Sequence, residues 1–196
     1  MIFGSFVLLP CAFTAPLFIP SYWNVPYLFG YLHPFRIGIE DLLFTFFVGG
    51  IAAVIYEFLE RKREIRRKKL KSSKLIRIIP YLLGWLFFLG LEYMFPNKSI
   101  YNLIGAGLVP GLYMVLVRKD LLNQSVTSGL FFSLLYFCLF ISINILYPQY
   151  VATVYNTKNL LGIMIFNVPL EELLFAFATG ASWSIFYEFF LNYRTS

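Results

Sequence analysis

Charge is scarce in this chain. Of its 196 residues only 13% are Asp, Glu, Lys or Arg, against about 25% in an ordinary soluble domain. It has ten acids, one histidine (His33) and two cysteines (Cys11 and Cys138). So little charge excludes a soluble enzyme, a disordered chain and a nucleic-acid-binding domain, despite a net charge of +6. A single histidine leaves no basis for a zinc site or a His-based triad. Two cysteines in apolar stretches make no disulfide framework and read as small buried hydrophobes. The N-terminus lacks a basic stretch, and Pro10 and Pro16 interrupt its apolar run, so no cleavable signal peptide is expected.

What the chain does contain is apolar: 59% hydrophobic and 20% aromatic residues, with a mean hydropathy of +0.72. Six segments approach the roughly 20 apolar residues that a membrane span needs: 2–19, 39–60, 78–95, 99–117, 126–147 and 169–191. Helix is the expected structure, because an open strand leaves backbone groups unpaired in lipid. The expected fold is therefore an all-α integral membrane protein, one domain of about six transmembrane helices. Ten of the 16 Lys and Arg fall between Arg61 and Arg77, where Glu64 is the only acid. Such a run beside a span marks the cytoplasmic side and favours anionic headgroups over nucleic acid. Arg118, Lys119 and Arg194 reach the same side if six spans leave both termini in the cytoplasm. Loops 20–38 and 148–168 then lie outside, and their Tyr22, Trp23, Tyr31, Tyr147, Tyr150 and Tyr155 suit an interfacial aromatic belt.

The sequence also repeats itself. At an offset of 131, EDLLFTFFVGGIAAVIYEFL from Glu40 lies over EELLFAFATGASWSIFYEFF from Glu171, with nine of 20 positions identical. Upstream, PSYW at 20–23 lies over PQYV at 148–151. This reads as a duplicated helical hairpin, the first and second spans corresponding to the fifth and sixth with the repeat over 20–60 and 148–191, and the copies share one membrane orientation: a parallel repeat. Asp41, Thr45, Gly49 and Ala53 are spaced by four, as are Glu172, Ala176, Gly180 and Ser184. Each set is a stripe of small residues headed by an acid, and such stripes let membrane helices approach closely. The second and sixth spans are expected to pack through them, bringing Asp41 and Glu172 to one depth, with Tyr56 and Tyr187 on the same face. Glu40 and Glu171 point about 100° away, toward Phe44 and Phe175.

Intramembrane acids mark function by default. Carboxyl groups meeting in a dry site share a proton and titrate as a unit, which suits general-acid work, and neighbouring aromatic faces stabilise a developing cation. As N-caps the same acids would simply favour helix starts. Glu57 can pair with Arg61, and Arg36 with Glu40. Glu92 is expected at an interface, and Asn102 and Asn144 in interhelical hydrogen bonds. The GAGLVPG run at 105–111 follows no strand and is not a dinucleotide loop.

The segment VPLEELLFAF, with Tyr187 and Glu188 beyond it, resembles the Pro-x-Glu-Glu signature of the membrane-embedded lycopene cyclase domain, found in heterodimeric bacterial cyclases and as tandem copies in archaeal and fungal proteins. The likeness covers both hairpins. The first copy departs in having Gly38 for the proline, and IleSerIleAsn stands at 141–144 where Trp-Asp often occurs. The resemblance implies an intramolecular lyase or isomerase with no FAD fold and no cofactor or metal. An acid protonates the terminal double bond of a linear carotenoid, the cation closes a ring, and a base removes a proton. It implies Glu171 and Glu172 as catalytic residues, extended by the repeat to Glu40 and Asp41, with Phe44, Phe175, Tyr56 and Tyr187 lining an apolar isoprenoid pocket. A small transporter or ion-binding protein using the same acids, and a non-catalytic carotenoid-binding subunit, remain open on the sequence alone.

Overall fold

A computed structural model describes residues 1–32, 34–60, 68–69, 74–191 and 193–194. His33 and most of the basic run, including Arg61, lie outside the described residues, and with them the expected Glu57–Arg61 pair and headgroup site. The chain is an all-α membrane protein. Among the described residues, five helices are long and apolar enough to cross a bilayer. In chain order the helices are α1 (Ile2–Leu8), α2 (Ile39–Glu60), α3 (Lys74–Met94), α4 (Ser99–Val117), α5 (Leu122–Leu146), the short α6 (Tyr150–Val154) and α7 (Leu170–Leu191).

The first expected span is the one that is not a long α-helix. After α1 the chain continues as a 3-10 helix over Leu9–Phe18. Pro10 and Pro16 have no N–H to give to an i−4 carbonyl, so this segment loses two bonds of an α-ladder, where α3 and α4 each lose one at Pro80 and Pro110. The tighter helix rises about 2.0 Å per residue, so the two pieces together still reach roughly 30 Å.

Helix α7 is the centre of the bundle. Its span is 56% buried, against 11–28% for the other four, and it packs on α5, α4 and α2. Polar staples hold α5 to it: Ser125 Oγ donates to the Ala181 carbonyl (2.9 Å), Gln124 Nε2 to that of Ser184 (3.1 Å) and Ser133 Oγ to that of Leu173 (3.0 Å). Glycines set the spacing. A Cβ on Gly180 would stand 2.6 Å from Phe132 Cβ and 2.8 Å from the Ser128 carbonyl of α5. One on Gly49 would stand 2.8 Å from Leu8 Cβ and 2.9 Å from the Gly4 carbonyl of α1. The glycines of the small-residue stripes therefore face the other arm of their own hairpin, not each other as expected. A small stripe specifies a close neighbour but not which one. Helix α2 reaches α7 through Ala176 of the second stripe, in a cluster with Val48, Ala52, Ile55 and Phe132. On α4, Gly107 fits against Ala178 and Gly111 against Ser182, so GAGLVPG is a packing surface.

The loops of the two hairpins are tied together. Asn24 N donates to the Val154 carbonyl (2.7 Å) and Asn156 N to that of Tyr22 (2.8 Å), an antiparallel bridge centred on Trp23 and Tyr155. A tight hairpin of Met164–Ile165 against Val168–Pro169 then leads into α7. At its turn Phe166 and Asn167 both hold positive φ, as a two-residue turn of this hand requires. At the far end, Lys68–Lys69 pairs with Tyr193–Arg194, beyond the ends of α2 and α7.

Gly180→Leu should be among the most destabilising single changes, because neither the Ser128 backbone nor the Phe132 Cβ can withdraw from the added carbons. A loss of about 1–3 kcal/mol is expected, measurable as a lowered midpoint of thermal unfolding in detergent. Gly90→Leu, where nothing lies within 4 Å, should leave the midpoint unchanged.

Candidate functional site

A long cavity runs between the 3-10 segment, α2, α3, α4 and α7. Along α7 it is bounded by Glu172, Phe175, Thr179, Ser182 and Phe186, 14 residues of helix or about 21 Å at 1.5 Å per residue. Its walls are mostly aliphatic and aromatic, with Val48, Trp85, Phe88 and Met114 among them. Two ionisable acids line it, Asp41 and Glu172, at the end where α2 and α7 begin.

Glu172 is 1% exposed. Oε1 accepts a 2.6 Å hydrogen bond from Tyr22 Oη, contributed by the first hairpin's loop. Tyr136 on α5 borders the cavity beside Glu172, and Tyr155 after α6 packs on Tyr22, with both phenols in electrostatic reach of the same carboxylate. Tyr22 and Tyr155 are 3% and 6% exposed and packed edge to face, with ring centroids 5.4 Å apart. Burial first, and then the neighbouring Glu172 charge, push both phenols well above their usual range, so each keeps its O–H. They are thus not the interfacial belt residues expected from their loops. The bridge at Trp23 and Tyr155 turns them inward to meet a buried carboxylate that needs donors. Tyr31 and Tyr147 do stand exposed.

Glu171, one residue earlier, points elsewhere, since successive helical residues diverge by about 100°. It is 0% exposed and does not border the cavity. Its Oε1 accepts from Tyr101 Oη of α4 (2.6 Å) and from the Leu161 backbone N–H (2.7 Å). It therefore clamps the loop before α7 to the bundle.

The first hairpin's acids divide in the same sense. Asp41 accepts from Gly38 N (2.8 Å) and Tyr27 Oη (3.2 Å), a capping geometry that leaves it facing the cavity. Burial and this bond to Asp41 raise the Tyr27 phenol. Glu40 accepts from the backbone N–H groups of Leu28 (2.8 Å) and Phe29 (3.3 Å), in place of the expected Arg36 pair, and lies outside the cavity. No hydrogen bond joins Asp41 to Glu172. They are two separately cradled carboxylates facing one space, and the four acids do not form a single proton-sharing cluster.

Phe44 and Phe175 border the cavity; Tyr56 and Tyr187 do not. Tyr187 packs edge to face on Phe3 (5.6 Å). Glu92 is tied to α4 through Asn102 Nδ2 (2.9 Å) and Ser99 Oγ (3.2 Å). Asn144 reaches the turn before α7, donating to the Asn167 carbonyl (3.0 Å).

The lycopene cyclase family model matches residues 97–190. That stretch runs from the start of α4 through α7 and holds Glu171, Glu172, Tyr101, Tyr136 and Tyr155. No curated protein and no solved structure matches the chain.

The clamp assigned to Glu171 has a direct test. Glu171→Ala should speed hydrogen exchange at the Leu161 amide and protease cleavage over 157–162. Glu171→Gln, whose carbonyl oxygen still accepts both bonds, should leave them slow.

Proposed function

We propose, from the match of residues 97–190 to the lycopene cyclase family model, that the chain is a carotenoid end-cyclase working by proton-initiated, redox-neutral ring closure inside the membrane. The observation that carries this reading is a fully buried carboxyl, Glu172, facing a long apolar cavity. In such a site water does not compete for the proton, and charge interactions are strong.

Glu172 gives its proton to the terminal double bond of a linear polyene. The O–H bond breaks, and a C–H bond forms with the alkene π pair, leaving a tertiary cation. The π pair of a second double bond closes the ring. A neighbouring C–H then yields its proton to a cavity-facing carboxylate, and its electron pair becomes the ring double bond. Nothing is oxidised or reduced. Asp41 supplies negative charge across the cavity from Glu172, and the ring faces of Phe44 and Phe175 stabilise the cation. Glu171 and Glu40 hold the loops that close this end.

The two hairpins are read as copies of one ancestral unit. Supporting this, Gly49 and Gly180, paired by the 131-residue offset, each meet the opposite arm of their own hairpin. The termini and the basic run at 61–77 are placed in the cytoplasm, beside anionic headgroups, which sets the acids toward the opposite face.

In cells that accumulate lycopene, this chain should convert the pigment to a product with cyclic ends, read from extracts by chromatography and mass. Glu172→Gln should abolish conversion while the protein still folds, and Asp41→Asn should slow it at least tenfold. Glu40→Gln should remain active. Conversion unchanged by Glu172→Gln contradicts the assignment.

A further inference from the structure

A carboxyl group strong enough to protonate an alkene has to leave behind a stable carboxylate, and in an apolar cavity water is not there to solvate it. The groups around Glu172 come from three separate parts of the chain. Tyr22 lies in the first hairpin's loop, Tyr136 is in the middle of α5 and Tyr155 follows α6. The Tyr22 bond, at 2.6 Å, has the short length of an O–H to carboxylate contact. The rings are fixed by packing. Tyr22 lies edge to face on Tyr155, Tyr136 packs on Phe140 (5.5 Å) and Phe175 (6.1 Å), and Phe140 also touches Tyr155 (6.1 Å). A phenol offers one O–H, and an ionised carboxylate can accept several. Donors held rigidly before the reaction begins need no reorganisation as charge develops, which makes them effective in a dry site.

We infer that Tyr22, Tyr136 and Tyr155 form a preorganised phenol cage that stabilises the Glu172 carboxylate as its proton leaves, and so sets the strength of the acid. This deepens the cyclase reading and rests on it. Tyr22 and Tyr136 border the cavity, whereas Tyr155 does not. Tyr155 is therefore a positioning residue that acts on substrate only through Glu172, and it is the sharpest probe of the cage.

The test uses the full chain in proteoliposomes carrying lycopene. Tyr155→Phe keeps the ring and its packing and removes only the hydroxyl. It should lower kcat by on the order of 10- to 100-fold, the worth of a hydrogen bond to a charged group, and leave KM unchanged. Tyr22→Phe and Tyr136→Phe should lower kcat in the same way. Infrared difference spectra supply a readout independent of turnover. The Glu172 carboxyl band, identified by its loss in Glu172→Gln, should shift in each Tyr→Phe variant. Unshifted bands, or full kcat in all three variants beside an inactive Glu172→Gln, overturn the cage and leave the cyclase reading standing. Shifted bands in a protein that does not cyclise lycopene support the cage and refute the cyclase reading.

Discussion

The structure turns on one constraint: a carboxyl group taken out of water must be met by donors or stay neutral. Glu172 sits at the start of the most buried helix, beside an apolar cavity. Its position explains features that otherwise look unrelated. Loop aromatics turn inward rather than toward the membrane surface, and the loops of the two hairpins pair at Trp23 and Tyr155. The result is a polar cluster closing one end of a space whose walls are otherwise nearly all hydrocarbon.

Helical phase separates the two neighbouring glutamates into different tasks. One residue of advance along α7 turns Glu172 toward the cavity and Glu171 toward Tyr101 and the Leu161 amide. The proposed proton donor and the residue that clamps the loop thus stand side by side in the sequence. The same division appears at the start of α2, where Asp41 faces inward and Glu40 caps loop amides.

Much of this was legible in the residues. Hydropathy indicated helices in lipid, and spacing by four put Asp41 and Glu172 on corresponding faces. The proposed repeat aligned the residues that begin α2 with those that begin α7. Three things were hidden. The 3-10 path through Pro10 and Pro16 is one that the apolar run alone does not distinguish from a span. The glycine stripes indicated closeness, but Gly49 meets Gly4 and Leu8, and Gly180 meets Phe132 and Ser128, because a small residue specifies a near neighbour without saying which. Tyr22 stands 150 positions before its partner Glu172. No local periodicity links the two, and a tyrosine in a loop beside a span reads equally well as an interfacial anchor. The available signal was the buried acid itself, which demands donors that its own helix does not supply.

The most direct test of the account is an experimental structure of the chain with a linear carotenoid bound. The account predicts the polyene threaded along α7, its terminal double bond about 3 Å from a Glu172 carboxyl oxygen, the reach of proton transfer. A polyene lying on the lipid-facing surface, or entering the cavity with its end remote from Glu172, would contradict it.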